Sequence, residues 1–446
     1  MSAPAPTTVR TRSQAIALAA NACIAGGVVS LNRKVEPGIS FVRAQGSRLW
    51  DADGNEYLDY HSAFAPHLLG HNDPEINAAV QAAMTAGWSL MGSGTTTWEV
   101  ELAQAVCAAV SSLELVQITN TGSEATAHAI RLSRAFTGRE HVVLTLGGYN
   151  GWHNDVARAV APPLSAIGAR VVAGEYPFLP SSAGIPAGVA KLLHVVNFND
   201  LASMEYVLKT YPVACVLTEP ALQNIGVVPP APGYLQGLRE LCSSYGAVLA
   251  FDEVKTGFRS ALGGYQSIAG VRPDLSVFGK AIANGYPLGV IGGRADIMRQ
   301  FDAAEPAKRV LVAGTYNAHP FTSAAAIATL KRLNREGGAV YQHLEMLGAR
   351  LEAGLSAAFA EKGVPHRVSR IGSAFCAYFM DHVPVDYHDV AMHHDAAFDG
   401  RYRRALIERG IYHFPLPTKQ GSISAAHTPA EIDRTIEITR DVLKAL

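Results

Sequence analysis

The chain has 446 residues, 48% of them hydrophobic and 17% charged, with a formal net charge of −1. A chain of that length can bury more than one sizeable core, and its near-neutral charge argues against nucleic acid or an anionic membrane as the main partner. Five scattered cysteines (Cys23, Cys107, Cys215, Cys242 and Cys376) form no CxxC pair, which suits reduced cytoplasmic thiols better than disulfides or a zinc site.

The opening stretch, "MSAPAPTTVRTR", lacks the apolar centre of a secretory signal and reads as a loose tail. No apolar run approaches the ~20 residues that span a bilayer. Residues 41–60, "FVRAQGSRLWDADGNEYLDY", predict a hairpin, because "DADGN" is turn chemistry between two strand-like runs. From about residue 100 to 300, short apolar runs alternate with amphipathic stretches. "LVQIT" precedes "EATAHAIRLSRAF", and "HVVLTL", "VACVLTEP", "AVLAFDEV", "LSVFG" and "GVIGG" follow. That alternation predicts a doubly wound, mostly parallel α/β sheet domain. Later helical patterns, "SAAAIATLKRLN" and "VYQHLEMLGARLEAGLSAAFAEKG", lead into shorter strands and a last helix, a smaller α+β domain. The expected division gives residues 1–70 to the small domain with the hairpin, 71–315 to the large domain and 316–446 to the small domain again.

Ligands of an open α/β sheet sit at the carboxyl ends of its strands, and the polar residues there form a set. "NTGSE" (120–124) opens a helix whose free amides suit a phosphate, with hydroxyls from Thr121 and Ser123. Tyr149 can stack on a flat ring. Glu219 ends the "VACVLT" run, and Asp252, after a buried strand, needs a cationic or hydrogen-bonded partner. Lys280 sits in "SVFGKAIANG" with no carboxylate within four residues; desolvation would free its lone pair to attack an aldehyde. Singly, each has a plain alternative: a helix cap, an Asp252–Arg259 salt bridge, a core tyrosine, a solvated lysine. Together they describe a site for pyridoxal 5′-phosphate.

Other chemistries lack their signatures. A dinucleotide fold needs GxGxxG after a strand, and the chain has none. A P-loop around Lys280 fails at Asp274 and Ala281. His388, His393 and His394 with Asp389 and Asp395 read as a solvated helix face, so no metal is expected. A non-catalytic relative would be expected to lose Lys280 or Asp252.

The chain resembles the class III (fold type I) pyridoxal-phosphate-dependent aminotransferases, in particular the subgroup containing glutamate-1-semialdehyde 2,1-aminomutase. The resemblance is carried by "LDYHSAFAPHLLGHNDP" (58–74), "NTGSEATAHAIRLSRAFTGRE" (120–140), "GGYNGWHND" (147–155) and "EPALQNIGVVPP" (219–230). It continues through "FDEVKTGFR" (251–259), "FGKAIANGYPLGVIGG" (278–293), "AGTYNAHP" (313–320) and "AAHT" (425–428).

The resemblance implies that Lys280 forms the Schiff base with the cofactor and that Asp252 keeps its pyridine nitrogen protonated. Val254 would pack on the ring face opposite Tyr149, Gly122 and Ser123 would take the phosphate, and Glu219 would lie near the ring hydroxyl. Thr315 would reach the phosphate of a neighbouring subunit, making the site a property of a homodimer. Arg33 would meet the substrate carboxylate, with Arg43 as its rival. Phe64, Trp88, Met91 and Trp152 are candidate pocket walls. The mutases usually read Tyr-His-Gly-His where this chain has Tyr149-Asn150-Gly151-Trp152, and carry an acidic residue where this chain has Lys419. "ANGYPLG" is a form associated with the subgroup's transaminases. These departures favour a cytoplasmic aminotransferase acting on a hydrophobic, aromatic or β-amino donor, with mutase and racemase or epimerase chemistry as alternatives.

Overall fold

The computed structural model describes residues 10–446, which divide into two compact units. One comprises residues up to Asp73, His343–Val383 and His394–Leu446; the other comprises Pro74–Gln342 and Pro384–His393.

The first unit begins with β1 (Phe41–Gln45), β2 (Arg48–Asp51) and β3 (Glu56–Asp59), paired as an antiparallel meander. The turn between β2 and β3 follows from "DADGN". Asp51 Oδ1 accepts the amides of Asp53 and Asn55 at 3.0 and 2.8 Å, and Gly54 takes φ +90°, where a side chain would be strained.

The second unit carries β4 (Leu115–Thr119), β5 (His141–Thr145), β6 (Leu193–Val196), β7 (Val213–Thr218), β8 (Val248–Asp252), β9 (Leu275–Gly279) and β10 (Gly289–Gly293). They form one sheet in the order β4-β10-β9-β8-β7-β5-β6. Neighbours from β9 to β6 pair in parallel. β10 runs antiparallel to both β4 and β9, so "GVIGG" departs from the parallel alternation expected of it. Only residues 280–288 separate β9 from β10, too few for a parallel crossover of about a dozen residues or more.

Every residue of β7, β8 and β9 is buried, as a sheet covered on both faces requires. The helix Gly122–Thr137 packs on β7, β9 and β10. Its Ala125, Ala129, Ile130 and Leu132 share a core with Leu144, Leu217, Ala250 and Val277. The helix Pro320–Asn334 packs on Pro74–Thr85 and Thr97–Ala109. That packing keeps it with the sheet, and the division falls after Gln342 instead of near residue 316.

The chain completes the first unit with β11 (Arg367–Ile371), β12 (Ala374–Tyr378), β13 (Ile411–Tyr412) and β14 (Gly421–Ser422). β13 pairs in parallel with β3, while β11, β12 and β14 form a separate sheet.

The histidine cluster is a solvated face only in part: His393 and Asp395 are exposed, while the others are not. His388 and Asp389 are buried, and His388 Nε2 donates to Gly168 O at 3.1 Å. His394 Nε2 lies 3.1 Å from Asp399 Oδ2. No described helix is long and apolar enough to cross a membrane.

Candidate active site

β4, β5, β7, β8 and β9 point the same way, so their carboxyl ends share one edge of the sheet. At the end of β4, Thr121 caps the helix Gly122–Thr137. Its Oγ1 accepts Glu124 N at 3.2 Å, and Glu124 Oε2 accepts Asn120 N at 2.7 Å. The Thr121 hydroxyl therefore serves the cap. The amides of Gly122 and Ser123, in the first turn, have no intrahelical acceptor by geometry.

Two glycines make this corner possible. A Cβ on Gly122 would meet Val254 Cγ2 at 2.7 Å. Gly151, at φ +122°, would place one 2.8 Å from Ser123 Oγ. The sequence-predicted Gly122, Ser123 and Val254 are thus brought together, along with the loop that follows Tyr149.

Asp252, the last residue of β8, is 2% exposed. Its Oδ2 accepts Asn150 Nδ2 at 2.8 Å and its Oδ1 accepts Val254 N at 3.1 Å, both neutral donors. Burial, reinforced by the negative charge of Glu219, pushes its pKa up to about 7; Asn150, the Val254 amide and Lys280 pull the other way.

Lys280 follows β9 directly, at φ +50°, a strained conformation for a residue with a side chain. Ala281, Ile282 and Phe278 around it are buried. Among the described residues its amine makes no hydrogen bond or ion pair. Burial lowers its pKa below the usual lysine value, against the opposing pull of Asp252 and Glu219.

Tyr149 is half-buried, and its amide donates to Glu219 Oε1 at 2.9 Å. Glu219, 2% exposed, also accepts Gln223 N at 2.9 Å and Asn224 Nδ2 at 2.8 Å. Both its oxygens hold the loops on either side of the site.

The other expected residues fall differently. Thr315 is exposed, in a loop tied to the helix start by Asn120 Nδ2 donating to Asn317 Oδ1 at 2.9 Å. Trp152 is 71% exposed. Trp88 is half-buried and stacks on Trp98 with ring centroids 4.8 Å apart. Met91 is exposed. Arg33, Arg43 and Phe64 belong to the other unit. Both arginines are exposed there, with the Arg43 guanidinium 4.4 Å over the Trp50 ring, while Phe64 packs on Phe414 at 4.9 Å.

Sequence reasoning missed Arg158. It is 4% exposed, with Nη2 donating to Thr145 O at 2.6 Å and Nη1 to Asn150 Oδ1 at 3.2 Å. Burial lowers its pKa to about 10, with Glu219 and Asp252 opposing. The available signal was the Gly147-Gly148 pair, since a Cβ on Gly148 would press on Arg158 Nη2 at 3.1 Å.

Residues 30–412 match the family described as "Aminotransferase class-III". The chain belongs to this family, is an enzyme of that kind, and has the fold-type-I architecture. It is 39% identical over 443 residues to the glutamate-1-semialdehyde 2,1-aminomutase of Desulfitobacterium hafniense (strain DSM 10664 / DCB-2), covering 98% of each chain. An omega-transaminase from Sphaerobacter thermophilus matches with a TM-score of 0.89 at 32% identity, covering 97% of both chains. A beta-phenylalanine aminotransferase from Variovorax paradoxus matches with a TM-score of 0.82 at 31% identity, covering 97% of this chain and 94% of the other.

Proposed function

We propose that this enzyme moves an amino group from a hydrophobic, aromatic or β-amino acid to a 2-oxo acid or another carbonyl acceptor. Pyridoxal phosphate is its cofactor. The strand-end residues fit that group: Asp252 is a buried carboxylate that accepts from the neutral Asn150 amide and Val254 N–H, and a protonated ring nitrogen would give it a cationic hydrogen-bond donor. When bound, the cofactor supplies an electron sink for the carbanion formed as the donor loses its proton.

In this reading Lys280 anchors the cofactor through Nζ and then acts as general base. Its lowered pKa brings the neutral amine closer to working pH. Asp252 accepts the ring N–H. The Gly122 and Ser123 amides and the Ser123 hydroxyl hold the phosphate at the positive end of their helix. Tyr149 and Val254 cover opposite ring faces, and Glu219 fixes the backbone that presents Tyr149 while lying near the ring hydroxyl. Thr315 reaches the phosphate of a second subunit in a cytoplasmic homodimer. Arg33 or Arg43 takes the substrate carboxylate as a bidentate partner, and Trp152 lies against the substrate side chain.

The observation that carries this reading is the Lys280 amine, with no hydrogen bond or ion pair among the described residues, coupled to the buried Asp252 carboxylate. A second reading, a glutamate-1-semialdehyde 2,1-aminomutase, is favoured by the 39% identity to enzymes of that name. Asn150, Trp152 and Lys419 weigh against it.

A visible spectrum with a panel of donors tests both. A visible absorption band of the bound cofactor that Lys280→Ala abolishes supports the site. Its loss on adding a mono-amino acid, with matching release of an oxo acid, supports an aminotransferase. Isomerisation of glutamate 1-semialdehyde with no acceptor present would establish the mutase instead. If wild type shows no band with the cofactor supplied, the Lys280 reading fails.

A further inference from the structure

Arg158 stands outside the set of residues assigned above, yet it is hydrogen-bonded to one of their partners. Thr145 O and Asn150 Oδ1 accept from its two terminal nitrogens. A guanidinium has donors only. The Asn150 side chain must therefore turn its oxygen toward Arg158 and its amide toward Asp252, where Nδ2 donates to Oδ2 at 2.8 Å. That donation favours the ionised form of Asp252, because an N–H donor stabilises a carboxylate more than the neutral acid.

The charges around Asp252 make this orientation consequential. Glu219, a second buried carboxylate, opposes its ionisation, and Tyr149 is the other acidic group coupled to it. Lys280 favours the ionised form, but its amine is the reacting group and is itself held toward neutrality by burial. Of the cations coupled to Asp252 among the described residues, Lys280 has the reacting amine and Arg158 has no other task in the site. Burying an arginine this deeply is costly unless its charge is used. The backbone is also shaped for it, because a side chain on Gly148 would crowd Nη2.

We propose that Arg158 is a positioning residue for the cofactor's ring nitrogen, acting through Asn150 to keep Asp252 oriented and ionised. The proposal rests on the reading that Asp252 faces that nitrogen. It predicts a coupled unit, in which the Asn150 amide is fixed only while Arg158 fixes its oxygen.

The test uses holoenzyme loaded with cofactor labelled with ¹⁵N in the ring, whose chemical shift distinguishes the protonated from the neutral nitrogen across a pH titration. Wild type is expected to hold the proton to high pH. Arg158→Gln should lower the midpoint of deprotonation by about one pH unit or more, the size of a single nearby charge effect. Arg158→Lys, which keeps the charge but not the fork, should recover part of the loss. Asn150→Ala should produce a similar drop, and the Asn150→Ala/Arg158→Gln double variant should be no worse than either alone.

Asp252→Asn separates the two layers. If it leaves the titration unchanged, the Asp252 reading fails. If Asp252→Asn lowers the midpoint while folded Arg158→Gln and Arg158→Lys titrate like wild type, the Arg158 proposal alone is overturned. Should Arg158→Gln not fold, the Arg158→Lys and Asn150→Ala titrations decide, and wild-type midpoints in both overturn the proposal.

Discussion

Gly122 and Val254 are in contact so close that a Cβ on the glycine would sit 2.7 Å from Cγ2 of the valine. One opens the helix whose amides face the candidate phosphate position; the other follows Asp252 by two residues. The absence of one methyl group thus sets the distance between the two halves of the proposed cofactor site.

Gly122→Ala should push Val254 or the helix start aside and weaken cofactor binding about tenfold, equivalent to about 1.4 kcal/mol. Equilibrium dialysis of the cofactor measures this directly. Gly122→Ala/Val254→Ala removes the opposing methyl groups and should recover part of the affinity. An unchanged dissociation constant in Gly122→Ala would mean that this contact does not position the site.

Lys280→Ala should reduce kcat/KM by roughly 10³-fold or more, since it removes both covalent anchor and proton carrier. Lys280→Arg is expected to be nearly as poor, because a guanidinium stays protonated and cannot take the substrate proton. Steady-state kinetics on both variants, with cofactor saturating, provide the check. Lys280→Arg retaining near-wild-type turnover would remove Lys280 from the role of base.

The strand ends were legible because continuous apolar runs place Asp252 and Glu219 at buried strand ends and Lys280 directly after the buried β9, and parallel pairing then gathers those ends along one edge. Arg158 was not legible. It lies outside any regular element, and its partners, Asn150 and Thr145, are reached only through the folded loop. His388 and Asp389 look polar in sequence, and only the packing of the helix Tyr387–His393 within the sheet unit buries them. The Trp88–Trp98 stack was not legible, because the two rings are ten residues apart and meet only in the fold. The direction of β10 was recoverable from the short 280–288 connection.

Removing the cofactor should expose a pH-dependent cost at Asp252. Its folded pKa, raised from 3.8 to about 7, means the native state binds more protons than the unfolded chain between those values. Stability from this group is therefore present below about pH 4 and lost as pH rises through 7. Thermal unfolding of cofactor-free enzyme should show Asp252→Asn gaining stability relative to wild type between pH 5 and pH 8, by up to a few kcal/mol. Adding cofactor should reverse the ranking at pH 8. A constant difference across the range would show that Asp252 ionises in the empty site without penalty.

Asp59 in the first unit should behave in the opposite sense. It accepts the amides of His61 and Ser62 at 2.8 and 3.0 Å, and lies 2.7 Å from His71 Nε2. Those bonds hold the entry to a rare left-handed turn, in which Ser62, Ala63, Phe64 and Ala65 take φ of 49°, 52°, 68° and 82°. Each such residue costs roughly 1–2 kcal/mol, so the turn depends on the carboxylate that anchors it. Burial works to raise the Asp59 pKa, but His71 and the Ser62 amide prevail and hold it below the usual aspartate value. A depressed carboxylate contributes stability that is present above its unfolded pKa and lost as pH falls through the folded one. Asp59→Asn should therefore cost about 3 kcal/mol at pH 7 and less at pH 3, and the two unfolding curves should converge in acid. Denaturant unfolding at the two pH values measures the difference; a penalty that is equal at both would show that Asp59 supports the turn by shape and not by charge.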